Sequence, residues 1–478
     1  MIIDIDQKDT CVSVSYTNEN KGISITDIPL PPEGYTNWEL CNEDDPFKHP
    51  TLRNYDGKSV KKVPGRRFYD LNLHEFLQVG ADETNRQLIH SMNKPNFFSV
   101  DIETEITDDA NPDAETAPNR ILSISITAPN MATIIGSLRE VDMTKVIEIV
   151  RENMGEYSKK YNFDTQHIVF ANEKDLLEWF IQNMKDVFHV IGGWFFLGYD
   201  WLYIKNRCKK LGIRVQNASP VGKLDFEGIP MHRLIFDYQE MYKEKASADV
   251  ISFALNEVSD YELGIGKLDY DFTLKELYEQ DPEKFIAYAI IDTLLVQLIH
   301  KKRNIIDIQY NMAYYTKISV KRAGKNIALA DSLIFREFWN RGNIYGDPQK
   351  EVKKQDYPGA FVKDPVKHEI DFPAGVDAKS LYPSSGITMR VSPDAFAGTC
   401  KDSDIPILRK NGFIVTHNNN VYKRDKEYLF TKIWKGLRTE RDLYKKDCMM
   451  VIYLQYLPAI EAEAEKRGIK LKSINDHH

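Results

Sequence analysis

Between Asn96 and about residue 305 two hydrophobic rhythms alternate, and a chain that carries both has to stack helices against a sheet. NFFSVDIE, ILSISIT and MATIIGSL put apolar side chains at every second position or fill short runs with them, as strands do. EKDLLEWFIQNMKDVF spaces them at helical intervals, VIGGWFF reads as a short buried strand, and DPEKFIAYAIIDTLLVQLIHKKR reads as a long helix. Asp281 is placed to cap that helix and Pro282 to occupy its first position. The first three runs predict adjacent strands of one sheet, and residues 96–305 one α/β domain.

Residues 1–95 mix short alternating runs (CVSVSYT, KGISITDI) with turns rich in Pro and Gly (PLPPEGY, VPGRR), which predicts a small β-rich domain. Gly and Pro return in NRGNIYGDPQK and QDYPGAF and mark a second boundary. Beyond it come the strand-like HEIDFPAGVDAKSLYPSS, a hairpin in GFIVTHNNNVYKRD, a charged helix from about Tyr428 to Lys446, and a last helical segment, IEAEAEKRGIKLKSINDHH, that frays. With 478 residues the chain is α/β and multi-domain, about three domains by length.

A net charge of −8 argues against a protein that coats nucleic acid by charge alone. Local stripes (Lys58, Lys61, Lys62, Arg66, Arg67; then Lys301, Lys302, Arg303) either follow phosphates or are solvated faces. Five cysteines without a CxxC pair indicate neither a disulfide framework nor a zinc site, and imply a reducing compartment. The start MIIDIDQKDT has no leader pattern, and no window approaches the ~18 apolar residues of a span, so the expectation is a cytoplasmic protein with no membrane partner.

Asp101 and Glu103 follow the apolar run FFSV two residues apart, so on a strand both carboxylates face one side. An Asp-x-Glu pair is common in a chain with 71 acidic residues, and alone it is equally a solvated strand end. Asp200 stands where GGWFFLGY turns into a helix, as a ligand or as an N-cap. Tyr288 and Asp292, four apart on the long helix, share one face, and a buried helix rarely carries two such groups without partners for them. Four carboxylates of this kind can hold two divalent cations about 3.5–4 Å apart, Mg²⁺ or Mn²⁺ given all-oxygen ligands, with Tyr288 orienting the attacking water.

Strand DIE, then Gly-Tyr-Asp at a strand-to-helix turn, then YAIID on a helix resemble the three exonuclease motifs of the ribonuclease-H-like proofreading domain of family B DNA polymerases. The family has an Asn before the second motif's Asp, where this chain has Phe195. Lys267 in ELGIGKLDY is either the family's lysine near that centre or a surface lysine. Asp377-Ala-Lys-Ser-Leu-Tyr-Pro-Ser384 resembles the family's DxxSLYPS motif. The resemblance makes Asp377 a catalytic and metal-binding aspartate of the polymerase site. It gives Ser380 and Leu381 N–H groups that cradle phosphates, and makes Tyr382 a ring that excludes a 2′-OH. Tyr357 and Gly359 in YPGA resemble a DNA-contacting segment, and Arg441 and Lys445 the basic pair that grips the triphosphate.

The resemblance runs from about Asn96 to Lys446, and YPGAF, SLYPS and GYDWLYIKNR point to the tailed-bacteriophage branch. It divides the chain into an N-terminal domain (1–95, completed by about 306–354), the exonuclease domain (96–305), a partial palm (355–427) and partial fingers (428–478). The family's KxxxNSxYG and DTDS motifs do not follow Lys446, so the chain is either the product of a split gene, the favoured reading, or a truncation. The expected partners are primer–template DNA, dNTP and, for a split gene, a second chain carrying those motifs, with a sliding clamp a further candidate. The competing readings are a free-standing 3′→5′ exonuclease with a relic polymerase motif, and a DNA-binding scaffold.

Overall fold

Apart from residues 9–10, 30–35, 47, 55–57, 65–76, 78–81, 107–111, 246–249, 271–272, 342, 345–363, 365–373 and 467–478, the chain is described by a computed structural model. It is a mixed α/β protein that divides into two compact units, residues 1–35 with 64–332 and residues 36–63 with 333–478.

The first unit opens with an antiparallel meander of β1 (Ile2–Gln7), β2 (Cys11–Thr17) and β3 (Ile23–Pro29). Its main body is a six-stranded sheet built from β4 (Phe98–Thr104), β5 (Ile121–Thr127), β6 (Thr133–Ser137), β7 (Thr165–Val169), β8 (Val190–Gly193) and β9 (Leu234–Asp237), in the order β7-β6-β5-β4-β8-β9. The pairs β4/β5 and β5/β6 are antiparallel, as adjacent strands read from the sequence would be, and the outer pairs are parallel.

Alternation along β4 sorts its side chains between two layers. Val100 and Ile102 enter a core with Leu176, Phe180 and Ile181 of α2 (Glu173–Asp186) and Trp201 and Ile204 of α3 (Asp200–Lys210). On the opposite face lie α1 (Met143–Met154), α4 (Tyr238–Lys245), α5 (Leu255–Leu263), α6 (Pro282–Arg303) and α7 (Ile305–Thr316), around a second core that includes Val150, Tyr242, Val258 and Ile306. Helix α6 is buried along most of its length, from Phe285 to Ile299, which is why its sequence is apolar nearly all round. Asp281 caps it by accepting from the Lys284 N–H, with Pro282 at its start.

Strand β8 needs its glycines. A Cβ on Gly192 would come within 2.4 Å of the Phe236 carbonyl, and one on Gly193 within 2.3 Å of the Val100 carbonyl. The strand ends at Gly193, short of the VIGGWFF read from the sequence, because Phe195 takes a left-handed conformation and turns the chain towards α3.

In the second unit the strands Thr36–Leu40, Lys48–Asn54 and Ser59–Pro64 form a sheet that Asn343–Ile344 joins by parallel pairing with Lys48–Asn54. The predicted hairpin is present as Ile414–Val415 against Asn420–Tyr422. Two corrections arise here. The end of the strand-like HEIDFPAGVDAKSLYPSS is helical, α8 (Leu381–Thr388), because Ser380 turns left-handed and Pro383 sits in the first turn, where its missing N–H has no helical partner to lose. The charged helix does not stop near Lys446 but continues as α9 (Leu429–Lys466). Helices α8 and α9 meet where Gly386 lies against Trp434, whose ring a Cβ would overlap. Among the described residues no helix is long and apolar enough to cross a membrane.

Candidate active site

Helix α6 is keyed to the sheet by polar contacts. The Ser99 hydroxyl of β4 donates to the Thr293 carbonyl at 2.8 Å. The Thr293 hydroxyl lies 3.1 Å from that of Ser125 and 2.8 Å from that of Thr127, both on β5. One turn on, Gln297 Nε2 donates to the Phe97 and Thr127 carbonyls at 2.9 and 3.0 Å. Asp292, the residue before Thr293, is thereby turned to Asp101 and Glu103, which share Ser99's side of β4. Carboxylate oxygens of Asp101, Glu103 and Asp292 all lie within 4.8 Å of one another. The β4/β5 register shifts between Glu103 and Thr104, with Leu122 of β5 as the extra residue, at the edge of this cluster.

Asp200 comes from the opposite layer as the first residue of α3, and it does not cap that helix. Its Oδ1 instead accepts from the Ile102 N–H at 3.2 Å, between the two β4 carboxylates. It is therefore beside the trio and buried, although its oxygens are outside the 4.8 Å group. The loop from β8 to α3 is held by Asp237, whose carboxylate accepts from the Leu197 N–H at 3.1 Å. Phe195 stands in this loop at φ 60°, half-exposed, with its ring over Gly198.

Burial dominates the electrostatics. Glu103, Asp200 and Asp292 are 7%, 4% and 3% exposed. Loss of solvent is the main cause that raises all four carboxyls above their ordinary range, Asp101 to about 7, with repulsion from neighbouring carboxylates adding at Asp101, Glu103 and Asp200, and Lys267 pulling Asp101, Glu103 and Asp292 back down. Four acids thus face one lysine among the described residues and bind protons more readily than free carboxyls do, and Asp292 Oδ1 is buried with no hydrogen-bond partner. Hard oxygen donors, acids whose charged forms lack enough compensation, and an unpartnered oxygen fit a divalent cation.

Lys267 Nζ lies 2.5 Å from Asp292 Oδ2 and 3.0 Å from the Tyr288 hydroxyl, so it belongs to the site and is not a surface lysine. Burial opposes its charge, but Asp292, Tyr288 and Asp101 together hold its pKa well above the usual value. Burial likewise raises the Tyr288 phenol, with Asp292 and Glu103 adding to it. Two residues that the sequence reading passed over complete this side: Tyr270, whose ring meets that of Tyr288, and Asn256, whose Oδ1 accepts the Lys267 N–H at 2.9 Å. The only signal for Tyr270 is its place three residues after Lys267.

The basic stripe at the end of α6 is internal in its contacts. Lys302 and Arg303 pair with buried Glu262 at 3.2 and 2.6 Å, and Lys301 lies over the Tyr161 ring. Of the first stripe, Lys61 pairs with Asp45 at 2.9 Å, and Arg66 and Arg67 lie outside the described residues.

In the second unit Asp377 is exposed in the segment before α8, Ser380 and Leu381 begin that helix, and the Tyr382 ring is 82% exposed. Lys379 pairs with Asp442 at 2.8 Å, which ties this string to α9 beside Arg441, and Arg438 donates to the Ser384 hydroxyl at 3.2 Å. Arg441 and Lys445 are exposed on α9. Tyr357 and Gly359 lie outside the described residues.

Residues 63–258 match the family described as DNA polymerase family B, exonuclease domain. A DNA-directed DNA polymerase of Escherichia phage RB69 is 31% identical over 250 residues, covering 49% of this chain and 28% of the phage protein. That of Enterobacteria phage T4 is 27% identical over 385 residues, 74% of this chain and 42% of the phage protein. DNA polymerase II of Escherichia coli is 26% identical over 297 residues, 58% and 36% of the two chains. The chain spans less than half the length of these curated relatives.

Proposed function

This chain is a relative of the family B DNA polymerases, of the phage branch, and on that premise we propose that its buried carboxylates form a 3′→5′ exonuclease centre acting on DNA. The observation that carries the reading is the convergence of Asp101, Glu103 and Asp292 around an unpartnered oxygen. With Asp200 beside them they would hold two divalent cations, Mg²⁺ or Mn²⁺, which lower the pKa of the attacking water and neutralise charge on the leaving 3′ oxygen.

The chain's own groups supply the rest. Tyr288, kept protonated by its surroundings, orients the attacking water as a hydrogen-bonding phenol and not as a base. Lys267 holds that hydroxyl in place and offsets the charge of Asp292.

We propose further that Asp377, with Ser380, Leu381, Tyr382, Arg441 and Lys445 for the nucleotide and Tyr357 and Gly359 for DNA, belongs to a polymerase centre that also needs the KxxxNSxYG and DTDS motifs, on a second polypeptide or a continuation of this one. That assembly would extend primer–template DNA with dNTPs in the cytoplasm of a bacterial host, with a sliding clamp as a further partner. The Lys379–Asp442 pair supports the link between the string and Arg441. We propose an N-terminal domain, 1–95, completed by about 306–354, ahead of exonuclease (96–305), palm (355–427) and fingers (428–478) parts. The pairing of Asn343–Ile344 with Lys48–Asn54 supports only the link of residues 36–63 to 333–354, and residues 1–35 and 64–95 belong to the compact unit that carries the exonuclease part.

The test is a 5′-labelled single-stranded oligonucleotide with Mg²⁺. The chain should shorten it from the 3′ end, and the Asp101→Ala/Glu103→Ala double variant should not. Equal cleavage by the two proteins would defeat the assignment. For the polymerase part, adding a polypeptide that carries KxxxNSxYG and DTDS should give primer extension that Asp377→Ala abolishes; extension unaffected by that change would remove Asp377 from the reaction.

A further inference from the structure

Tyr270 closes a short strap, Gly264–Tyr270, whose main chain is held from two helices. Asn256, on α5, accepts the Lys267 N–H at 2.9 Å, and Asn153, on α1, donates to the Gly266 carbonyl at 3.2 Å. Gly266 is pressed so closely on Asn256 that a Cβ would come within 2.6 Å of its Oδ1. The strap therefore brings two side chains to Tyr288 from fixed directions. Lys267 Nζ is 3.0 Å from the Tyr288 hydroxyl and 5.1 Å from its ring centroid. The Tyr270 ring meets the Tyr288 ring at 5.4 Å with the planes at 84°.

One contact to the hydroxyl fixes a single atom of Tyr288 and leaves the ring free to rock about its own axis and about χ1. An edge-to-face contact at near right angles fixes the plane. We propose that Tyr270 is a positioning residue for the exonuclease reaction, setting the plane of Tyr288 so that its hydroxyl stays aimed between Lys267 and Asp292. This rests on the exonuclease reading above. Burial raises the Tyr270 phenol above its ordinary range, with the charge of Glu103 adding to it. Tyr270 acts through Tyr288 and touches neither carboxylate nor substrate in this role.

The experiment is a mutant cycle on the full chain, read as kcat and KM for single-stranded DNA. Tyr270→Leu, which keeps apolar bulk on the strap, should lower kcat about tenfold, a misaimed-group effect, with KM within about twofold. Tyr270→Phe keeps the ring and should retain most of the activity. In a Tyr288→Phe background there is no hydroxyl left to aim, so Tyr270→Leu should cost nothing more. Losses that multiply across the cycle would overturn the proposal.

A second readout needs neither turnover nor cation: with Tyr288 replaced by 3-fluorotyrosine, the ¹⁹F resonance should shift and broaden on Tyr270→Leu, and an unchanged line would also overturn it. Should the unmodified chain show no cation-dependent cleavage, the exonuclease reading falls, while the resonance still reports whether Tyr270 holds the ring.

Discussion

The Lys267 ammonium sits 2.5 Å from the Asp292 carboxylate and is, among the described residues, the one lysine drawn into the acidic cluster. It serves as an internal counter-ion for the metal-free chain. Lys267→Met should therefore destabilise that state by roughly 3 kcal/mol, as removal of one partner of a largely buried pair does. Mg²⁺ should raise the melting temperature of the variant more than that of the unaltered chain. Equal Mg²⁺-induced shifts in the two proteins would contradict the counter-ion role.

Asp200 has two jobs that substitution can separate. Asp200→Asn keeps an acceptor for the Ile102 N–H and removes a charge whose burial is costly, so the metal-free chain should be as stable as before or more so, while nuclease activity falls. Asp200→Ala loses both, and leaves a buried N–H without a partner at a cost of about 1–3 kcal/mol. Urea unfolding of the two variants, set beside their nuclease rates, checks the distinction.

Gly193 is a packing requirement more than a turn residue. Gly193→Ala would set a methyl against the Val100 carbonyl of the neighbouring strand, and backbone cannot step aside as a side chain can. A loss of about 3 kcal/mol or more is expected, at the upper end of overpacking costs. A melting temperature within a degree or two of the parent would refute it.

His300 gives the first unit an acid-sensitive point. It packs edge-on to Phe97 and Tyr238, and burial lowers its pKa from 6.5 to about 4. Above pH 6.5 it is neutral folded or unfolded and contributes no pH dependence. Between 6.5 and 4 the unfolded chain takes up a proton that the folded chain refuses, so stability falls by up to roughly 3 kcal/mol, and below 4 the loss levels off. Asp101, raised to about 7, works in the opposite sense. The measurement is therefore a difference: His300→Leu should flatten the pH 7.5 to 5 fall in unfolding free energy relative to the parent chain.

Asp101 and Glu103 were legible because a strand's period of two is local, and Tyr288 and Asp292 because the helical i, i+4 spacing is local too. Whether Asp200 capped α3 or looked into the cluster was open in the sequence, since both uses place Asp at the same helix start; the Ile102 N–H decides it. Tyr270 and Asn256 act through contacts made across the fold, with no periodicity to announce them. The stretch ending in SLYPS read as extended because Ile, Phe, Val and Tyr favour strands, and a single left-handed backbone at Ser380 redirected its end.

The hydroxyl of Thr293 and the amide of Gln297 have a bearing on heat as well as on geometry. With the helix pinned to two strands beside the acid that it carries, the cluster has no hinge of its own about which to loosen. Nuclease activity and the far-ultraviolet signal of the first unit should then disappear at the same temperature on warming, with no inactive but folded interval between them.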